Sequence, residues 1–107
     1  MTIQWKQSRL HGGGFITGLV QSKKNPDILY ARADVAGVFK SDNRGLSWMA
    51  INQGMTDCHQ HDVRSIAVSP HNPDILFRCS GSVRDSHFFG TIHKSADAGL
   101  SWRTVCT

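Results

Sequence analysis

The sequence predicts an all-β protein, two four-stranded antiparallel blades of an incomplete β-propeller, and three observations carry that expectation. Asn25-Pro26-Asp27-Ile28-Leu29-Tyr30 returns as Asn72-Pro73-Asp74-Ile75-Leu76-Phe77, 47 residues later. Lys40-Ser41-Asp42-Asn43-Arg44-Gly45-Leu46-Ser47-Trp48 returns as Lys94-Ser95-Ala96-Asp97-Ala98-Gly99-Leu100-Ser101-Trp102, at a spacing of 54. Neither copy contains a convincing helical pattern, and both break into short apolar runs separated by turn residues. A self-repeat of this length decides the architecture before any local assignment, and four short strands per repeat describe a propeller blade.

In the first copy the runs are Phe15 to Gln21, Ile28 to Ala33, Val38 to Lys40 and Trp48 to Ile51. In the second they are Val63 to Ser69, Ile75 to Cys79, Thr91 to Lys94 and Trp102 to Cys106. Asn-Pro-Asp supplies capped, φ-restricted turn positions between the first and second strands of each copy, and a Gly-containing polar turn joins the third to the fourth. The opening strand is apolar on both faces, through Phe15, Ile16, Leu19 and Val20, as befits a sheet sandwiched between neighbours. The extra residues of the second copy fall between its second and third strands, where Ser80 to Gly90 reads as a long loop. Residues 12–54 form blade one and 55–107 blade two, while 1–11 read as a closing strand for another blade.

The polar turn has its own logic. Ser41 or Ser95 can hold turn backbone, Asn43 or Asp97 can do so two residues on, and Gly45 or Gly99 can take positive φ. Trp48 and Trp102 then fill the hairpin core. Asn43 keeps the acceptor oxygen of an aspartate, so the first turn is expected to form as the second does.

Charge and composition exclude more than they assign. The net charge is +4, but apart from Lys23-Lys24 the basic residues are scattered singly, which argues for a solvated surface and against nucleic acid. The apolar runs are far shorter than the roughly 20 residues a membrane-spanning helix needs. Residues 1–6 have no secretory-leader pattern. Cys58, Cys79 and Cys106 are an odd set without a C-x-x-C pair, so neither a disulfide framework nor a zinc ribbon is encoded, and no cofactor is expected.

Blade topology sorts the remaining residues. In a four-strand meander the first and third turns share one face, and the middle loop and the blade linker share the other. The second face receives Gly12-Gly13-Gly14, Asp34-Val35-Ala36-Gly37, residues 53–62 and residues 80–90. Asp34 ends an apolar strand and precedes small residues that let a ligand approach, so it is either a candidate acid or base or a turn-capping carboxylate. Asp57-Cys58-His59-Gln60-His61-Asp62 concentrates ligand-type side chains, yet lacks the well-spaced, element-fixed donors of a metal site and reads as a polar linker. Arg84, His87 and Phe88 are candidate sugar contacts in the long loop, with Phe88 and Phe89 alternatively filling a gap in a neighbouring blade.

Ser95-Ala96-Asp97-Ala98-Gly99-Leu100-Ser101-Trp102 resembles the Asp-box of sialidases, sortilin-type receptors and several glycoside hydrolases. Trp5-Lys6, Gly12 to Gly18 and Ile28 to Lys40 resemble the start of family 74 glycoside hydrolases, the xyloglucanases. That resemblance implies two seven-bladed propellers facing across a cleft for a branched β-glucan, and an inverting mechanism with one aspartate from each. It places the general base on Asp34, in Ala31-Arg32-Ala33-Asp34-Val35-Ala36-Gly37. The acid would come from the other propeller, so the chain alone is expected to be inactive, and an extracellular or periplasmic setting is implied. The competing reading is a non-catalytic protein-binding scaffold, as in sortilin-type receptors or the photosystem II assembly factor. Either way, two blades expose unpaired faces, and further blades or self-association are expected to cover them.

Overall fold

The computed structural model describes residues 2–8, 10 and 14–107, without the side chains of Arg84 and Phe88. It contains two four-stranded antiparallel sheets, each a simple meander. Blade one is β1 (Ile16–Gln21), β2 (Leu29–Ala33), β3 (Val38–Ser41) and β4 (Met49–Ala50). Blade two is β5 (Val63–Val68), β6 (Leu76–Arg84), β7 (His87–Ser95) and β8 (Arg103–Cys106), and a 3₁₀ turn over Cys58–His61 sits in the linker. The blades are also alike in detail: an irregularity falls between Ile16 and Gly18 in one and between Val63 and Ser65 in the other. Gly12 and Gly13 lie outside the described residues, and the described part of the leading segment has no strand.

One expectation is corrected. The stretch from Ser80 to Gly90 is not a loop but an extension of the sheet, with β6 and β7 paired from Leu76↔Ser95 out to Arg84↔His87. Asp85 and Ser86 close it as a two-residue turn, with φ of 50° and 64°. Such a left-handed pair matches the twist of a hairpin but is usually signalled by glycine or asparagine. Gly81 and Gly90 face each other across the extension, and a Cβ on Gly81 would meet the Phe89 carbonyl at 2.4 Å. These glycines serve close strand packing.

Both polar turns form with one hydrogen-bond pattern. Ser41 Oγ accepts from Gly45 N at 2.8 Å and donates to Asn43 Oδ1 at 2.9 Å, and Asn43 Oδ1 accepts from Ser47 N at 2.9 Å. In the second turn Ser95 Oγ accepts from Gly99 N at 2.8 Å and donates to Asp97 Oδ1 at 2.7 Å, which accepts from Ser101 N at 2.9 Å. The last bond reverses polarity: Asn43 Nδ2 donates to Ser47 Oγ, whereas Ser101 Oγ donates to Asp97 Oδ2. Asparagine therefore replaces aspartate without loss of the turn. Each turn is also tied to the first turn of its blade, through Arg44 N to Asp27 O and Ala98 N to Asp74 O, which fixes both on one face.

The difference between Asn43 and Asp97 is testable by acid. Bonds from the Ser101 hydroxyl and backbone, and from Ser95, hold the Asp97 carboxyl at about 2, below the ordinary 3.8. A depressed carboxyl stabilises the fold above its unfolded value, and that contribution is lost as pH falls through the folded one. Wild-type stability is expected to drop relative to Asp97→Asn between about pH 4 and about pH 2, read by urea melts at each pH. Equal acid limbs would show that the turn does not report on global stability.

The blades pack face to face. Tyr30, Val38 and Ile51 of blade one meet Val63, Ile66, Leu76 and Trp102 of blade two in one buried cluster. The Trp102 indole N–H donates to Ile51 O at 2.8 Å, so this tryptophan is core. Trp48 is half-buried beside Ala31, Ala33 and Phe39, and its N–H donates to Gly45 O at 3.1 Å.

Candidate functional site

The face opposite the polar turns is assembled around the end of β2. Ala33 N donates to Gly37 O at 2.9 Å, closing a tight turn that carries Asp34, Val35 and Ala36. Gly37 leaves this turn at φ 83°, and a Cβ there would lie 2.2 Å from Asn52 Oδ1. That approach is used: Asn52 Oδ1 accepts from Val38 N at 2.9 Å, and its Nδ2 donates to Ala36 O at 3.2 Å. Asn52 thus braces the turn from the end of blade one.

Asp34 is clamped on the other side by the start of β1. Its backbone N–H donates to Phe15 O at 3.1 Å, and Phe15 N donates back to Asp34 Oδ1 at 3.2 Å. Gly14, at φ 74°, lets this backbone pass close; a Cβ on it would stand 3.3 Å from Asp34 Oδ1. The carboxylate is therefore positioned by two segments rather than hanging from a loose loop.

The linker between blades forms the facing wall. Gly37 N donates to His61 O at 2.9 Å and Gly81 N to Asp62 O at 3.0 Å, so the linker is stitched to both blades. Asp57 caps its 3₁₀ turn by accepting from His59 N at 3.2 Å, and Gln60 Oε1 accepts from Asp57 N at 3.2 Å. His59 is held by Ser82 Oγ, 2.6 Å from its Nδ1, and stacks on Phe89 with centroids 4.8 Å apart. Asp34, Val35, Cys58, His59, Asp62, Ser82 and Val83 line a cleft of about 380 Å³.

The sequence-predicted residues fare differently here. Asp34 lies in this cleft, and the linker, read from sequence as a polar connection, is its wall. Asp57, Cys58 and His59 place donor atoms within 4.8 Å of one another, on three consecutive residues of one turn. Phe89 packs on His59 and stays 43% exposed. The Arg84 and His87 backbones pair at the tip of the extended hairpin, with Phe88 next to them opposite Val83. His87 is exposed and is not among the described lining residues, and the side chains of Arg84 and Phe88 lie outside the described residues.

Two residues were missed. Arg78 is 1% exposed; its Nη1 donates to Asn52 Oδ1 at 2.9 Å, its Nη2 to Gln60 O at 2.5 Å, and its guanidinium lies 5.3 Å from the Trp102 ring centroid. It joins blade two to both the linker and the brace of the Asp34 turn. The signal was legible, since Arg78 stands in mid-strand where the first repeat has Ala31. Asn52 left no such mark.

Two stacked antiparallel meanders, with a carboxylate-bearing cleft on the face away from the polar turns, define a segment of a propeller protein. No family model matches the chain. It is 30% identical over 98 residues to a xyloglucanase of Paenibacillus, covering 88% of the chain and 10% of that protein. A xyloglucanase of Hypocrea jecorina is 30% identical over 106 residues, covering 94% and 12%. Among solved structures, the family 74 xyloglucanase of Xanthomonas campestris superposes with a TM-score of 0.79 at 25% identity, over 97% of the chain and 15% of that protein. A family 74 enzyme of Niastella koreensis gives 0.77 at 26%, over 92% and 15%. The chain is homologous to the family 74 xyloglucanases, and it spans about a tenth of the length of the curated relatives it matches.

Proposed function

We propose that this chain supplies one wall of a polysaccharide cleft of the xyloglucanase type, with Asp34 as the general base that activates water. The observation that carries the reading is the position of Asp34: at a strand end, fixed by Phe15, in a cleft shared with His59, Asp62 and Ser82. Inversion at a glycosidic bond needs a base on one side and an acid on the other, with carboxyl groups about 6.5–9.5 Å apart. In the double-propeller arrangement that the family resemblance implies, the acid comes from the second propeller, so the 107 residues alone bind glycan without cleaving it. Within the cleft Val35, Val83 and the His59 ring give a sugar ring apolar surface, while Asp34, Asp62 and Ser82 give its hydroxyls partners.

The clamp on Phe15 equally suits a carboxylate whose role is to cap the turn, as in a non-catalytic propeller scaffold. Titration of the chain with xyloglucan oligosaccharides, followed by amide chemical shifts, separates the two. Weak binding, on the order of millimolar for half a cleft, is expected, with shifts at Asp34, Val35, His59 and Ser82 and no hydrolysis products. Shifts confined to the polar-turn face, or none at saturating glycan, would favour the scaffold.

A further inference from the structure

The extended hairpin of blade two, which has no counterpart in blade one, holds one side chain of the linker from two directions. Ser82 and Phe89 are partners across β6 and β7. Ser82 Oγ lies 2.6 Å from His59 Nδ1, and Phe89 stacks on the same ring at an interplanar angle of 11°. A histidine held at Nδ1 and along one face has its direction decided, and it is Nε2 that it turns toward the linker's own side chains.

Nε2 faces the Asp57 carboxylate, 3.6 Å from Oδ1. That separation is longer than a hydrogen bond, but it suits two donors that share one ion: ligands about 2.0–2.3 Å from a tetrahedral centre stand roughly 3.3–3.8 Å apart. Cys58 supplies a third donor, and all three atoms fall within 4.8 Å of one another. Its side chain is exposed, so a rotation about Cα–Cβ is enough to close the set. Asp57 Oδ1 also accepts from His59 N at 3.2 Å, and a carboxylate has lone pairs enough for that bond and a metal. Consecutive residues make a poor metal set in an extended linker, where neighbouring side chains point to opposite sides. Here the 3₁₀ turn gathers them, and the bonds from Gly37 N to His61 O and from Gly81 N to Asp62 O pin its end.

We propose that Asp57, Cys58 and His59 form a binding site for a divalent cation of the zinc class, with the Asp57 carboxylate, the Cys58 thiolate and His59 Nε2 as ligands and Ser82 as the positioning residue behind His59. Thiolate, imidazole and carboxylate together suit a borderline-soft ion, whereas magnesium and calcium take oxygen ligands. Cys58 gives up its proton to solvent on binding. The ion selects the imidazole tautomer in which Nδ1–H donates to Ser82 Oγ, leaving the lone pair on Nε2. Three protein ligands leave a fourth position for water. Cys58 and His59 also line the Asp34 cleft, which puts the ion at its rim. These ligands take metal whether or not the cleft takes glycan.

Titration of the reduced 107-residue chain with Co²⁺ tests the site, because a cobalt–thiolate bond gives a near-ultraviolet charge-transfer band that carboxylate and imidazole ligands alone do not. One Co²⁺ per chain is expected, with that band, and added Zn²⁺ is expected to displace it. Cys58→Ser is expected to remove the band, while Cys79→Ser and Cys106→Ser each keep it. Serine at the exposed Cys58 leaves the fold intact, so this comparison holds even if His59→Gln does not fold. Ser82→Ala keeps all three ligands and is expected to weaken Co²⁺ binding by about 10–100-fold with the band unchanged in shape, and Ser82→Thr, which returns the hydroxyl, to restore it. Asp57→Asn and His59→Gln are each expected to weaken binding further than Ser82→Ala. No band with Co²⁺ in excess, a band that survives Cys58→Ser, or unaltered affinity in Ser82→Ala would overturn the proposal.

Discussion

Arg78→Ala is expected to destabilise the chain by about 2–5 kcal/mol, the range for emptying a large buried site, and Arg78→Met by much less. The reason lies in two opposed effects. Burial lowers the Arg78 guanidinium to about 10 from an ordinary 12.5, so its charge, still present at neutral pH, is itself unfavourable by about 3 kcal/mol. Against this stand the bonds to Asn52 and Gln60 and the contact with Trp102, each charged hydrogen bond contributing about 1.5–3 kcal/mol. At the low end of that range the two bonds only offset the cost of burial, which leaves shape as the deciding quantity. Both substitutions unpair the Gln60 carbonyl, but alanine also leaves a void beneath Trp102, while methionine fills the volume without a charge to desolvate. Burial and the nearby Arg78 cation hold His93 below the usual imidazole value, and either change removes the second of these causes. Urea melts of both variants measure the difference. Amide exchange should show lost protection at Gly37 and Val38 in Arg78→Ala, because Asn52 braces both the arginine and the Asp34 turn. Equal destabilisation by alanine and methionine would assign the stability to charge instead.

The parts of this architecture that sequence revealed are those encoded by local chemistry. Asn-Pro-Asp and the Ser-x-Asx-x-Gly turns fold through contacts within a few residues, so their repetition marked the blades and the side on which the turns lie. Outside the β6–β7 hairpin, strand ends followed to within a residue for the same reason. The extended hairpin escaped because its turn is Asp85-Ser86, which adopts a left-handed pair without glycine, while the flanking Gly81 and Gly90 are strand residues chosen for close approach. Asp34 was legible as a strand-end aspartate, and it was the family resemblance that singled it out as a candidate base. Its surroundings were not, since the wall of the cleft comes from residues 57–62 and from Ser82, and only their long-range bonds to Gly37, Gly81 and His59 bring them there. Arg78 broke the apolar pattern of β6 and could have been noticed, but its partners, Asn52 and Gln60, lie 26 and 18 residues away. Composition and periodicity carry no information about such pairings.

Asp34→Asn is expected to lower kcat on xyloglucan by roughly 10²–10⁴-fold, the contribution of a positioned general base, with little change in KM. The measurement needs a complete cleft, so residues 1–107 are placed in the Paenibacillus xyloglucanase in place of the segment they match. Asparagine is the informative substitution because it retains an oxygen at the Oδ1 position. That atom accepts from Phe15 N at 3.2 Å, so the turn stays clamped while the basic carboxylate is lost. Asp34→Ala removes both functions and is expected to add a fall in thermal stability to the same loss of rate. The pair separates the two roles that a strand-end aspartate can have. If asparagine leaves kcat intact while alanine lowers only the melting temperature, Asp34 is a clamp that shapes the cleft, and the base must be sought elsewhere. If asparagine alone removes turnover while the melting temperature holds, the carboxylate acts on water, and the bond to Phe15 serves to aim it.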